Sequence, residues 1–103
     1  MVVPKSTTPE APIRTVHEFF VPTLAGGSVI FPTRCVNQVG ARVLDQGRQV
    51  APLEVGTWFI GDGREVGWRH TVRLEGPPYR IMVECYNLDP VFPHALTFNL
   101  DLR

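Results

Sequence analysis

No stretch of this chain stays apolar for more than a few consecutive residues, far short of the roughly 20 that carry a helix across a bilayer, so no transmembrane helix is expected. The opening "MVVPKSTTPEAPIRT" has neither an apolar central segment nor a basic leader, so it does not read as a secretory signal. The expected location is the cytoplasm, or a particle assembled there. Cysteine is scarce: Cys35 and Cys85 stand far apart, with no CxxC and no nearby histidine pair. That excludes a zinc site and points to two buried, unbridged thiols in a reducing compartment.

Catalytic residue types are equally thin. The only serines are Ser6 and Ser28, neither in a nucleophile-elbow context. His17, His70 and His94 show no HxH or HExxH spacing, and His70 reads as a hydrogen-bonded core or rim histidine. Glu54 and Glu84 are the one carboxylate pair that glycoside chemistry would use, but no spacing places them together. "GDG" at 61–63 lacks the Lys and Ser/Thr of a phosphate loop, and Asp45, Asp62, Asp89 and Asp101 stand singly where calcium needs a cluster. No catalytic, cofactor-binding or metal-ligating residue is assigned, and no enzyme is expected.

Net charge is also lacking. Ten acidic residues balance ten basic ones, so no global field draws the chain to nucleic acid or an anionic membrane, and neither is expected as a partner. Lysine is nearly absent, with Lys5 beside nine arginines. Arginine's planar fork suits recognition, although a codon bias of the source genome accounts for the same excess.

What is present is β-structure. With 44% apolar content in 103 residues, one compact core is expected. Residues 1–15, with Pro4, Pro9 and Pro12, read as an extended N-terminal arm suited to lying across a neighbouring subunit, and residues 16–103 as a single domain. "HEFFVPTL" and "SVIFPTRCVN" read as a hairpin turning at Ala25–Gly27, with Pro22 and Pro32 marking edges or bends. "ARVLD" and "RQVAPL" flank Gln46–Gly47 as a second, tight hairpin. "EVGTWFI" ends at the "GDG" turn. "GWRHTVRL" alternates, with Trp68, His70, Val72 and Leu74 on one face, and Gly76, Pro77 and Pro78 then close it. "YRIMVECY" turns Tyr79, Ile81, Val83 and Cys85 inward, and the last strand does the same with Leu96, Phe98, Leu100 and Leu102.

Short strands at regular spacing with Gly and Pro turns predict an all-β, two-layer sandwich of jelly-roll or immunoglobulin-like type, with about seven or eight short antiparallel strands. The immunoglobulin signature itself is missing, since Val83 stands where a tyrosine precedes the second cysteine and Trp58 lies far from Cys35. The terminal strand belongs to the core, yet one side of its backbone is free to pair with another chain.

Two features suit recognition. Arg69, Arg73 and Arg80 project from the outer faces of two successive strands, which as a hairpin would share one surface. Trp58, Tyr86, Phe92 and Phe31 fall on outward faces or loops, where aromatic residues anchor interfaces, although outward does not mean exposed in a two-layer fold. The expected function is a non-enzymatic structural or accessory protein that binds protein chains in a homo-oligomer or larger assembly, a capsid-decorating virion component being one instance. The alternatives are a monomeric module that stacks a carbohydrate or small ligand on Trp58, Trp68 and Tyr79 or Tyr86, and a small inhibitor that docks through the arginine face.

Overall fold

The computed structural model describes residues 1–103 and holds strands and turns but no helix, so no helix is long and apolar enough to cross a membrane. The strands are β1 (Val2–Val3), β2 (Ile13–Phe19), β3 (Thr23–Phe31), β4 (Val39–Asp45), β5 (Arg48–Ala51), β6 (Phe59–Ile60), β7 (Arg64–Trp68), β8 (Val72–Arg73), β9 (Tyr79–Asn87), β10 (His94–Ala95) and β11 (Thr97–Leu102). Four of them, β1, β6, β8 and β10, are two-residue pieces that supplement the longer strands.

All pairings are antiparallel. One sheet runs β2-β9-β4-β5 with β6 also on β4, a second runs β11-β3-β7 with β8 also on β3, and β1 pairs with β10. Inward residues of both larger sheets join one apolar cluster: Leu24, Val29 and Phe31 come from the second sheet, and Val39, Ala41, Val43, Ile81, Val83 and Cys85 from the first. Val3, Cys35, Val50, Ala51, Leu74 and Leu96 complete it. Burying each such large side chain stabilises by about 1.5–3 kcal/mol.

The β4–β5 hairpin forms as its sequence implies. Gln46 (φ 48°) and Gly47 (φ 86°) both take the left-handed region that a two-residue I′ turn requires. Asp45 pairs with Arg48 across the turn, at 3.1 Å between Oδ2 and the guanidinium. Both cysteines are buried and free. Burial pushes the Cys85 thiol up to about 12, and burial with the nearby Asp62 and Asp89 carboxylates pushes Cys35 to about 11.

Three expectations differ from the structure. The hairpin turning at Ala25–Gly27 does not form, because β3 runs unbroken through those residues and β2 pairs with β9 in the other sheet. Gly27 sits in a strand for a steric reason: a Cβ there would meet the Trp68 ring and the Asn99 carbonyl, so the glycine marks a close approach, not a turn. Second, "GWRHTVRL" breaks after Trp68. His70 Nε2 lies 2.6 Å from the Val50 carbonyl of the opposite sheet, and the chain resumes as β8.

Third, residues 1–15 lie on their own domain, where an arm reaching a neighbour was expected. Val3 is in the core, and Val2 and Val3 pair with Ala95 and His94. Thr7 and Asn87 exchange both backbone hydrogen bonds, and β2 begins at Ile13, so the boundary after residue 15 falls inside a strand. A buried polar network fastens this segment. Asn87 Nδ2 donates to the Val3 and Phe92 carbonyls, its Oδ1 accepts from the Asp89 amide, and Asp89 Oδ2 meets His94 Nε2 at 2.9 Å. Hydrogen bonds from the Val91 amide, His94 and the Phe92 amide hold the Asp89 carboxyl below the usual range.

Candidate interaction surfaces

The three arginines do not share a surface. The chain crosses from one sheet to the other between β8 and β9, so the hairpin that would have gathered them is absent. Arg69 lies exposed in the break after β7, and Arg73 sits on β8 opposite Thr23. Arg80 is on β9 in the other sheet, where its Nε donates to Glu18 at 3.0 Å.

Trp58 and Tyr86 do come together, in a cluster where Tyr86 is buried and Trp58 half-buried. Tyr86 faces outward from β9, buried over Gly40, whose missing side chain makes room for its ring. Trp58 meets it edge-on at 4.9 Å, and the Arg42 guanidinium lies 4.1 Å above the Trp58 ring. Burial raises the Tyr86 pKa. The other tryptophan, Trp68, stacks on Phe59 at 5.3 Å. Phe31 is in the core and Phe92 is exposed.

Beside this cluster stands Glu84, which is 2% exposed although it faces away from the core. Arg42 holds one carboxylate oxygen at 2.7 Å, and Arg14, reaching from β2, holds the other. Burial alone would raise its pKa, but the hydrogen bonds from both guanidinium groups outweigh that and hold the carboxyl below its usual value. It is therefore a structural anion that ties β2, β9 and β4 together. Glu54, the other carboxylate considered, lies in the exposed loop after β5. The histidines are dispersed: His70 is on Val50, His94 on Asp89, and His17 is exposed on β2.

A concave feature lies where the sheets end on one side. A groove of about 730 Å³ runs between β2, the edge of the first sheet, and β11, the edge of the second. Its walls are mostly apolar, with Ile13 and Phe19 on one side and Phe98, Leu100 and Leu102 on the other. Those last three follow the alternation read from the sequence, yet they are only half buried.

Backbone bonding shows which groups each edge leaves free. Leu96 and Met1 exchange N–H···O bonds at 2.7 and 2.8 Å, so Leu96 bonds away from β3, whereas Arg103 bonds to Thr23 at the start of β3. Because direction alternates along an antiparallel strand, Phe98, Leu100 and Leu102 turn their N–H and C=O groups to the open edge. On β9, Asn87 bonds toward Thr7 and Leu88 toward Gln38. Ile13, Thr15, His17 and Phe19 therefore bond to β9 in the observed register, and Arg14, Val16 and Glu18 turn their backbone groups outward. Sequence reading started this strand at His17 and missed the Arg14–Val16–Glu18 face. The alternation "IRTVHEF" was its only signal, hidden beside a Pro-rich stretch.

No protein family, curated protein or solved structure matches this chain.

Proposed function

We propose that this protein is a non-enzymatic structural or accessory component of an assembly, and that it binds other protein chains through the open side between β2 and β11. The observation that carries this reading is the pairing of two uncapped sheet edges with an apolar groove between them. Unpaired backbone groups beside apolar surface are the elements of strand addition, in which main-chain bonds give affinity and alternate pockets give specificity. The chain uses this mode itself, since β1 lies against β10 at one end of the groove. A particle-decorating protein is one instance of such a component.

The same reading favours an immunoglobulin-like sandwich over a jelly roll. The pairings β3–β7, β4–β5 and β4–β9 are those of strands B–E, C–C′ and C–F in that architecture. The first long strand takes the place beside F and the last takes the place beside B, as if the terminal strands had exchanged sheets. Two seven-residue and six-residue edges then meet on one side of the domain.

A sugar-stacking module is less well supported, because Trp58 is already engaged by Arg42 and Tyr86, and Trp68 by Phe59. The test is light scattering on a sizing column, for the full chain and for Leu100→Lys, which sets an ammonium in the groove. A mass above that of one chain, reduced by Leu100→Lys, supports the reading. A chain that is monomeric throughout and whose tryptophan emission shifts with an oligosaccharide would overturn it in favour of the ligand-binding module.

A further inference from the structure

The edges of the two sheets are not equally exposed to pairing. β5 is four residues long and runs into Pro52, and the edge made by β7 and β8 is broken at Arg69–Thr71. β2 is different. It is seven residues long, pairs with β9 without a bulge, and contains no proline or lysine of the kind that shields edges. Its outward backbone groups belong to Arg14, Val16 and Glu18, and Val16 at the centre is 55% exposed.

These three residues are arranged symmetrically in charge. If a second β2 lies antiparallel with a two-fold axis at Val16, Val16 faces Val16, and Arg14 faces Glu18 of the second copy twice over. All three positions present outward backbone groups, so each facing pair exchanges both N–H···O bonds. Shifting the register by two residues pairs neither charge with its opposite. Shifting it by four sets Arg14 against Arg14 or Glu18 against Glu18, which opposes association.

Within one chain Arg14 already meets Glu84, and Glu18 already meets Arg80. The two-fold pairing would join these into one row of alternating charge across both copies. On the groove face it sets Ile13 opposite Phe19, covering apolar side chains that the single chain leaves half exposed.

We propose that this chain forms a two-fold dimer by antiparallel pairing of β2 with β2 of a second copy, centred on Val16. The two five-stranded sheets then run on as one. This rests on reading the open side as a protein-binding surface, and it names the partner and the register.

Three variants test it. Facing Cα atoms in a hydrogen-bonded pair stand about 5.5 Å apart, within disulfide reach. Val16→Cys should therefore give a covalent dimer when oxidised glutathione takes up the two electrons, while the native thiols stay buried. Val16→Pro removes an N–H that points away from β9, so it should leave the circular dichroism spectrum unchanged and the mass monomeric. Glu18→Arg should weaken the dimer at least tenfold, or about 1.4 kcal/mol.

A monomeric wild-type chain at every concentration would overturn the dimer. So would Val16→Cys that gives only the mixed disulfide with glutathione. If the Val16 and Glu18 variants keep a mass above that of one chain while Leu100→Lys lowers it, the β2 register is wrong and the open side stands as the binding surface. If no variant lowers that mass, both fail.

Discussion

Replacing Glu84 by Gln isolates one charge in an otherwise conserved shape, and its cost follows from the two arginines that face it. Arg42 is 22% exposed and Arg14 is 58% exposed. In the variant the amide oxygen still accepts from Arg42, now as a neutral acceptor. Its NH2 group points at Arg14, which turns to water. One hydrogen bond to a charged group is lost and another weakened, at about 1.5–3 kcal/mol for such bonds, so the net cost is about 2–3 kcal/mol. At about 4–8 °C per kcal/mol for a domain of this size, the melting midpoint should fall by about 10–20 °C. Arg14→Ala leaves the buried Glu84 carboxylate to Arg42 and to whatever water fills the gap, and should cost about 1.5–3 kcal/mol, the range for one hydrogen bond to a charged group.

The pH dependence checks the assignment. The folded-state pKa of Glu84 is lowered, so its contribution is complete above the ordinary value of 4.5 and fades as pH falls below it toward the depressed value. Urea melts of both proteins from neutral to acid pH should show the gap between them closing in that direction. A gap below about 0.5 kcal/mol at pH 7, within the scatter of surface substitutions, would refute the reasoning, as would a gap unchanged on acidification.

Other substitutions probe other parts of the structure. Gly40→Ala puts a methyl into the Tyr86 ring and should cost about 1–3 kcal/mol as overpacking, with a red shift of Trp58 emission as the cluster opens, read by fluorescence during thermal melts. Asn87→Ala strips partners from the Val3 and Phe92 carbonyls and should cost about 2–3 kcal/mol; hydrogen exchange should quicken first across residues 1–7. With burial pushing Cys35 to about 11 and Cys85 to about 12, neither thiol should react with a thiol-selective dye at pH 8 in the native protein, and both should react in denaturant.

Local features were legible in the sequence, and pairing was not. Alternation placed Ile81, Val83 and Cys85 inward, and the Gln46–Gly47 spacing gave the β4–β5 hairpin despite Gln being a poor residue for positive φ. Alternation carries no information about which strand lies alongside. Ala25–Gly27 therefore read as a turn, because the Trp68 ring that requires Gly27 lies in a distant segment. Arg69, Arg73 and Arg80 were grouped by nearness in sequence, whereas the crossing between sheets separates them. In the sequence Glu84 stands beside Glu54 as a carboxylate pair that no spacing brings together; its two arginines come from β2 and β4, and only the register reveals them.

The position of β9 has a consequence for how the chain acquires its fold. It is an interior strand of the first sheet, bonded to β2 on one side and β4 on the other, yet it is made after both. During synthesis the β4–β5 hairpin can form locally, but β2 has no partner until the chain beyond residue 79 emerges. Closing such distant pairings is slow, because the entropy of the intervening loop is lost before any contact compensates. Refolding should thus be slow and concentration-sensitive, with the stretch around Val16 as the segment most in need of a chaperone while the ribosome completes its partner.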